Sequence, residues 1–290
     1  MTSDLWPVDK RLELGRRMES HRRARGLSVT SVAESLDVLP MVIRSLEGGY
    51  LMKVRNRLVL RLCAHYGITD DDQRAELLRL ARGGSSPGWW SAFADVIPTW
   101  FGPYLALEQS TDLVRSHDVQ FVPGLLQTAD YARAVIRGDG LGAQEETDYR
   151  VALRMRRQRR FLQDNGPQLW ALLDESVFLR PVADRATMFR QFEHLAALCD
   201  VPNISIQIVP FGAVGYATGA SSVILLRTPR APGARVSHRE IVYLEQLTDA
   251  SYVDDEDGLL YHRHVLSSLS ILASTPSETQ EIIHAKMRDV

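Results

Sequence analysis

Asp254-Asp255-Glu256-Asp257, with His262 and His264 close behind, is the densest run of metal-capable side chains in the sequence. Acidic residues opening a helix explain it more simply, because negative charge favours a helix N-terminus, and histidines two positions apart point to different helix faces. Neither a Gly-x-Ser-x-Gly nucleophile elbow nor a His-Glu-x-x-His zinc motif is present. The stretch Gly212–Gly219 is glycine-rich but matches no phosphate-binding or dinucleotide pattern, and reads as a loop. Cys63 and Cys199 are far apart and have no evident His partner. No catalytic residue, metal or cofactor is therefore expected. The chemistry that remains is charge. Residues 10–61 hold 12 Lys/Arg against 5 Asp/Glu, whereas residues 83–290 hold 19 against 25, within a chain of net charge −2. A short basic span joined to an acidic body is the footprint of a polyanion-binding module, with a solvated helix surface as the plainer alternative.

The elements that must position this charge are helical. Leu14, Met18 and His21 repeat on one face of a first helix that stops at Gly26. Ser28 suits the cap of a second helix carrying Val32 and Leu36; Asp37-Val38-Leu39 forms a turn; Pro40 suits the first turn of a third. Val42, Ile43 and Leu46 point inward on that third helix, and Gly48-Gly49 ends it. A fourth helix carries Leu58, Leu62 and Tyr66, and a fifth opens at Asp70-Asp71-Asp72. Gly83–Gly88 reads as a linker, which divides the 290 residues into a head (1–82), a linker (83–88) and a body (89–290).

In the body, Trp89, Trp90, Trp100, Phe101 and Tyr104 concentrate aromatic surface directly behind the linker. Helices are predicted over 104–116, 143–163, 184–199, 256–273 and 277–287, with one capped by Thr128. Strands are predicted over 168–173, 203–209, 221–227 and 240–246. The expected class is multidomain: an all-α head followed by an α+β body, with α/β as its alternative. No apolar run approaches the ~18 residues of a membrane span, and the first residues lack a secretion signal, so a cytoplasmic protein without a membrane partner is expected.

The run from Leu27 to Gly49, with Ala33 at a helix crossing, Val38 plugging the turn and Glu47 and Gly49 in place, resembles the lambda-repressor-like (XRE-type) helix-turn-helix domain. That resemblance implies a double-stranded DNA partner contacted by Arg22, Arg23, Ser28, Thr30, Met41, Arg44, Ser45, Lys53, Arg55 and Arg57. It departs from the family where Val29, Leu39, Pro40 and Met41 stand in place of polar readers. A degenerate helix-turn-helix serving as a protein-interaction module is the alternative. The body motifs Gly88-Trp89-Trp90, Val122–Ala132, Arg157-Gln158 and Ile206–Phe211 resemble a C-terminal domain of unknown function fused to such heads in actinobacterial regulators. This implies a transcriptional regulator, antitoxin-like, often encoded beside a small partner protein. A homodimer is expected because one head grips little DNA. A small-molecule effector or that partner would bind at Trp89, Trp90, Trp100, Phe101, Tyr104, Pro123, Gln127 and Tyr131.

Overall fold

The computed structural model describes residues 8–49, 51, 54–83, 89–98, 100–138, 140, 143–215, 222–229 and 238–290. Two compact units emerge, one of residues 1–92 and 98–110, the other of 93–97 and 111–290. The aromatic segment expected to open the body thus groups largely with the first unit. Residues 84–88 of the expected linker and residues 216–219 of the glycine-rich loop lie outside the described residues.

The first unit holds α1 (Val8–Ala24), α2 (Val29–Ser35), α3 (Pro40–Gly48), α4 (Asn56–His65), α5 (Asp71–Gly83) and α6 (Phe101–Ser110). Leu14 and Met18 of α1, Val32 and Ala33 of α2, Ile43 and Leu46 of α3, Val59 and Leu62 of α4, and Leu77 and Leu80 of α5 share one buried core. The helix-period spacing of these residues closes the helices on one another. The α1–α3 crossing is tight: a Cβ at Gly15 would stand 2.3 Å from the Glu47 carbonyl oxygen. A 3-10 stretch over Trp89–Val96 kinks at Phe93, and Trp89 Nε1 donates to Gln109 Oε1 at 2.9 Å. The helix predicted over 104–116 instead ends at Ser110, and a strand begins three residues later.

That strand is β1 (Leu113–Asp118), followed by α7 (Ala129–Gly138), α8 (Gln144–Gln158), β2 (Gln168–Asp174), α9 (Ser176–Leu179), α10 (Arg185–Leu198) and β3 (Ile204–Val209). Then come β4 (Val223–Pro229), β5 (His238–Glu245), β6 (Ala250–Val253), α11 (Glu256–Leu272) and α12 (Pro276–Asp289). The sheet runs β3-β2-β1-β4-β5-β6. β1, β2 and β3 pair in parallel and the remaining neighbours antiparallel, with Val114 opposite Leu169 and Leu226. Helices connect the parallel half and hairpins the other, so the second unit is α+β. Leu259, Val265, Leu266 and Leu269 of α11 pack on Leu172, Val209, Val223, Leu225 and Val242 of the sheet. A polar chain ties the same face down: Arg115 stacks 4.3 Å over Trp170, Trp170 Nε1 donates to Gln207 Oε1, and Gln207 Nε2 donates to the Ser274 carbonyl.

Candidate nucleic-acid interface

The turn between α2 and α3 depends on a left-handed residue, Asp37 at φ 47°, which short polar side chains tolerate better than most. Arg61 Nη2 donates to the Leu36 carbonyl at 2.5 Å and braces this turn. Ser28 caps α2 by accepting from the Ser31 amide at 3.0 Å, as expected. Gly49 ends α3 in the left-handed region at φ 76°.

Two residues expected on DNA are turned inward. Arg22 Nε donates to Glu47 Oε1 at 2.7 Å and Nη2 to Oε2 at 2.8 Å, while Nη1 donates to the Leu27 carbonyl at 2.7 Å. Both partners are buried, and the Glu47 hydrogen bond raises the Arg22 pKa against the cost of burial. Arg22 therefore bolts α1 to α3 rather than contacting phosphate. Ser45 is also buried, on the inner side of α3, and cannot read a base edge.

The remaining expected residues occupy the surface. Ser28, Thr30, Arg23, Arg55 and Arg57 are exposed, and Arg44 is half-buried. Arg23 pairs with Glu19 of its own helix at 2.7 Å. Lys53 lies outside the described residues. On α3, Pro40, Met41 and Arg44 share a face by helical spacing, with Leu39 at the N-cap. Leu39 is 67% and Met41 46% exposed.

Local stability does not explain these choices. Leu39 caps α3 with no side-chain hydrogen bond, where Ser, Thr, Asp or Asn would contribute about 1 kcal/mol. Arg55 caps α4, Arg57 stands in its first turn, and no acidic residue is there, although a helix N-terminus disfavours positive charge. Such breaches of local rules concentrate where a surface serves a ligand. Sequence reasoning registered Leu39 as a departure from a pattern but did not count it among the contact residues.

A helix-turn-helix domain model matches residues 13–77. A second model, the domain of unknown function DUF5753, matches residues 101–285, more than half of the chain. The chain belongs to the DUF5753 family. No curated protein and no solved structure matches it significantly.

In this DUF5753 chain the side chains expected to meet an effector or partner are largely internal. Trp90, Tyr104 and Tyr131 are buried, whereas Trp89, Trp100, Phe101 and Pro123 are half-buried. Phe101 stacks on Tyr104 with ring centroids 5.1 Å apart. Gln127 is buried too, its Nε2 donating to the Val122 carbonyl and its Oε1 accepting from Arg154. Gln158 Nε2 donates to the Gly124 and Gln127 carbonyls, and Gln191 bonds both the Leu126 carbonyl and the Thr128 amide. The Val122–Thr128 turn is thus a structural clasp. Its backbone groups need partners once buried, and glutamines of α8 and α10 supply them. Tyr131 accepts from the Val122 amide at 3.3 Å, and burial pushes its phenol up to about 12. Gln127 and Tyr131 therefore hold the turn together and do not present polar atoms to a ligand. The sequence motif Arg157-Gln158 includes Gln158 without assigning it a role, and Gln191 leaves no sequence signal, because the partners of both lie tens of residues away.

No group of three or more His, Cys, Asp and Glu side chains converges to hold a metal among the described residues. No described helix is long and apolar enough to cross a membrane.

Proposed function

We propose that this protein is a sequence-specific transcriptional regulator of the XRE type, acting in the cytoplasm as a homodimer on double-stranded DNA. The observation that carries the reading is the exposed start of α3, Leu39 and Met41, with Arg44 on the following turn, in a head whose sequence matches a helix-turn-helix domain model. Arg23, Arg44, Arg55 and Arg57 supply positive charge for phosphates, which position a protein on the duplex, whereas Leu39 and Met41 at the start of α3 meet base edges. The DUF5753 body has no catalytic role in this reading. It shifts operator occupancy by binding a small molecule or a small antitoxin-system partner with different affinity in the DNA-competent and incompetent states.

Selection of the full-length protein against a random duplex library tests this. Enriched sequences are expected to contain two related half-sites about one helical turn, ~10 bp, apart. Failure to enrich any sequence contradicts the reading. The exposed apolar side chains of Leu39 and Met41 favour one rival, a protein-interaction module on a degenerate helix-turn-helix. That rival predicts no salt-dependent duplex binding.

A further inference from the structure

We infer that Leu39 and Met41 read the C5-methyl groups of thymine in the major groove, so that the specificity of this head resides chiefly in methyl contacts. The inference rests on the DNA-binding reading above. On the exposed side of α3, Arg44 is the side chain with hydrogen-bond donors; its neighbours there are Leu39, Pro40 and Met41. Neither Leu nor Met can make the bidentate bonds that distinguish guanine or adenine. What an apolar side chain can distinguish in the major groove is the thymine methyl, the feature that thymine alone among the four bases presents.

The exposure of these residues has no folding rationale. Leu39 is 67% and Met41 46% exposed, outside the buried core formed by Ile43 and Leu46 of the same helix. Leu39 also takes the N-cap position, which a polar residue would stabilise and where Ser28 does so for α2. The net charge of the head favours a polyanionic occupant. Residues 10–61 carry 12 basic against 5 acidic side chains, a balance complementary to a polyanion such as duplex DNA.

The experiment uses the full-length protein and a duplex enriched from a random library. Affinity for that duplex is compared with affinity for the same duplex carrying deoxyuridine in place of every thymidine. Each contacted methyl lost is expected to weaken binding about fourfold, the ~0.8 kcal/mol of one buried CH2-sized group converted at tenfold per ~1.4 kcal/mol. The salt slope is expected to stay unchanged, because no phosphate contact is lost. Leu39→Ala and Met41→Ala are expected to bind the thymidine duplex more weakly and to lose most of the difference between the two duplexes. Both positions are exposed, so these variants keep the core intact. Equal affinity for the two duplexes overturns the inference and leaves DNA binding standing. A deoxyuridine effect that persists undiminished in both variants also overturns it, since the methyls are then read elsewhere. Absence of any duplex binding overturns this inference and the proposed function together.

Discussion

The pair Arg22–Glu47 shows how a residue of the right type in the right motif can serve another purpose. Its two charges are buried and doubly hydrogen-bonded. Removing one partner strands the other, at a cost of about 3–5 kcal/mol. Arg22→Ala is expected to lower the unfolding free energy of the head by that order, measured by urea denaturation. A stable, fully folded variant with weakened DNA binding would return Arg22 to the interface. A second residue-scale test lies in the body. Asp118 Oδ2 is buried without a hydrogen-bond partner, although the residue as a whole is half-buried. Burial, reinforced by the Glu245 charge and opposed by Ser116, pushes its carboxyl up to about 7. A folded-state value above the ordinary ~3.9 means that the folded protein binds the proton more tightly. The associated stability is complete below about pH 4 and is lost as pH rises through about 7. Asp118→Asn is expected to flatten the stability profile across this window and to stabilise the protein above it. Urea unfolding at a series of pH values measures this; a profile identical to that of the wild type contradicts it.

Helices were the most legible elements. α10, α11 and α12 fall close to their predicted ranges, and α2, α3 and α7 open where Ser28, Pro40 and Thr128 predict their starts. β1 escaped detection. Val114, Ser116 and His117 are all buried, so both faces are covered and no period-2 alternation survives. Its approach through the apolar helix α6 reads as continuous helix. β6, only 4 residues long, carried too little pattern to register. The basic surface was legible in sign but not in detail, because pairing such as Arg22 with Glu47 across 25 positions leaves no local trace. The head's crossing offers a test at this scale. Gly15→Ala would place a Cβ against the Glu47 and Leu46 carbonyl oxygens, which are backbone and cannot swing away. A destabilisation of about 1–3 kcal/mol is expected, as in overpacked cores. Thermal unfolding at wild-type temperature would show that α1 and α3 have room to separate.

At the scale of the whole molecule, charge is divided along the chain. All but Lys10 and Arg11 of the basic residues in 10–61 fall within the matched helix-turn-helix region, and the excess of acidic residues lies beyond residue 82. Linear sequence sufficed to find this asymmetry, whereas the outward or inward direction of each arginine needed the fold. Arg44, Arg55 and Arg57 are expected to make phosphate contacts from a folded helix-turn-helix. The most direct measurement is the dependence of duplex affinity on salt for the full-length protein and for the Arg44→Ala, Arg55→Ala, Arg57→Ala triple variant, with unfolding curves confirming that both are folded. Each lost phosphate contact removes ~0.9 from the slope of log affinity against log salt. The variant is expected to bind more weakly, with a slope shallower by about 2–3. Unchanged affinity and slope in a folded triple variant would contradict it.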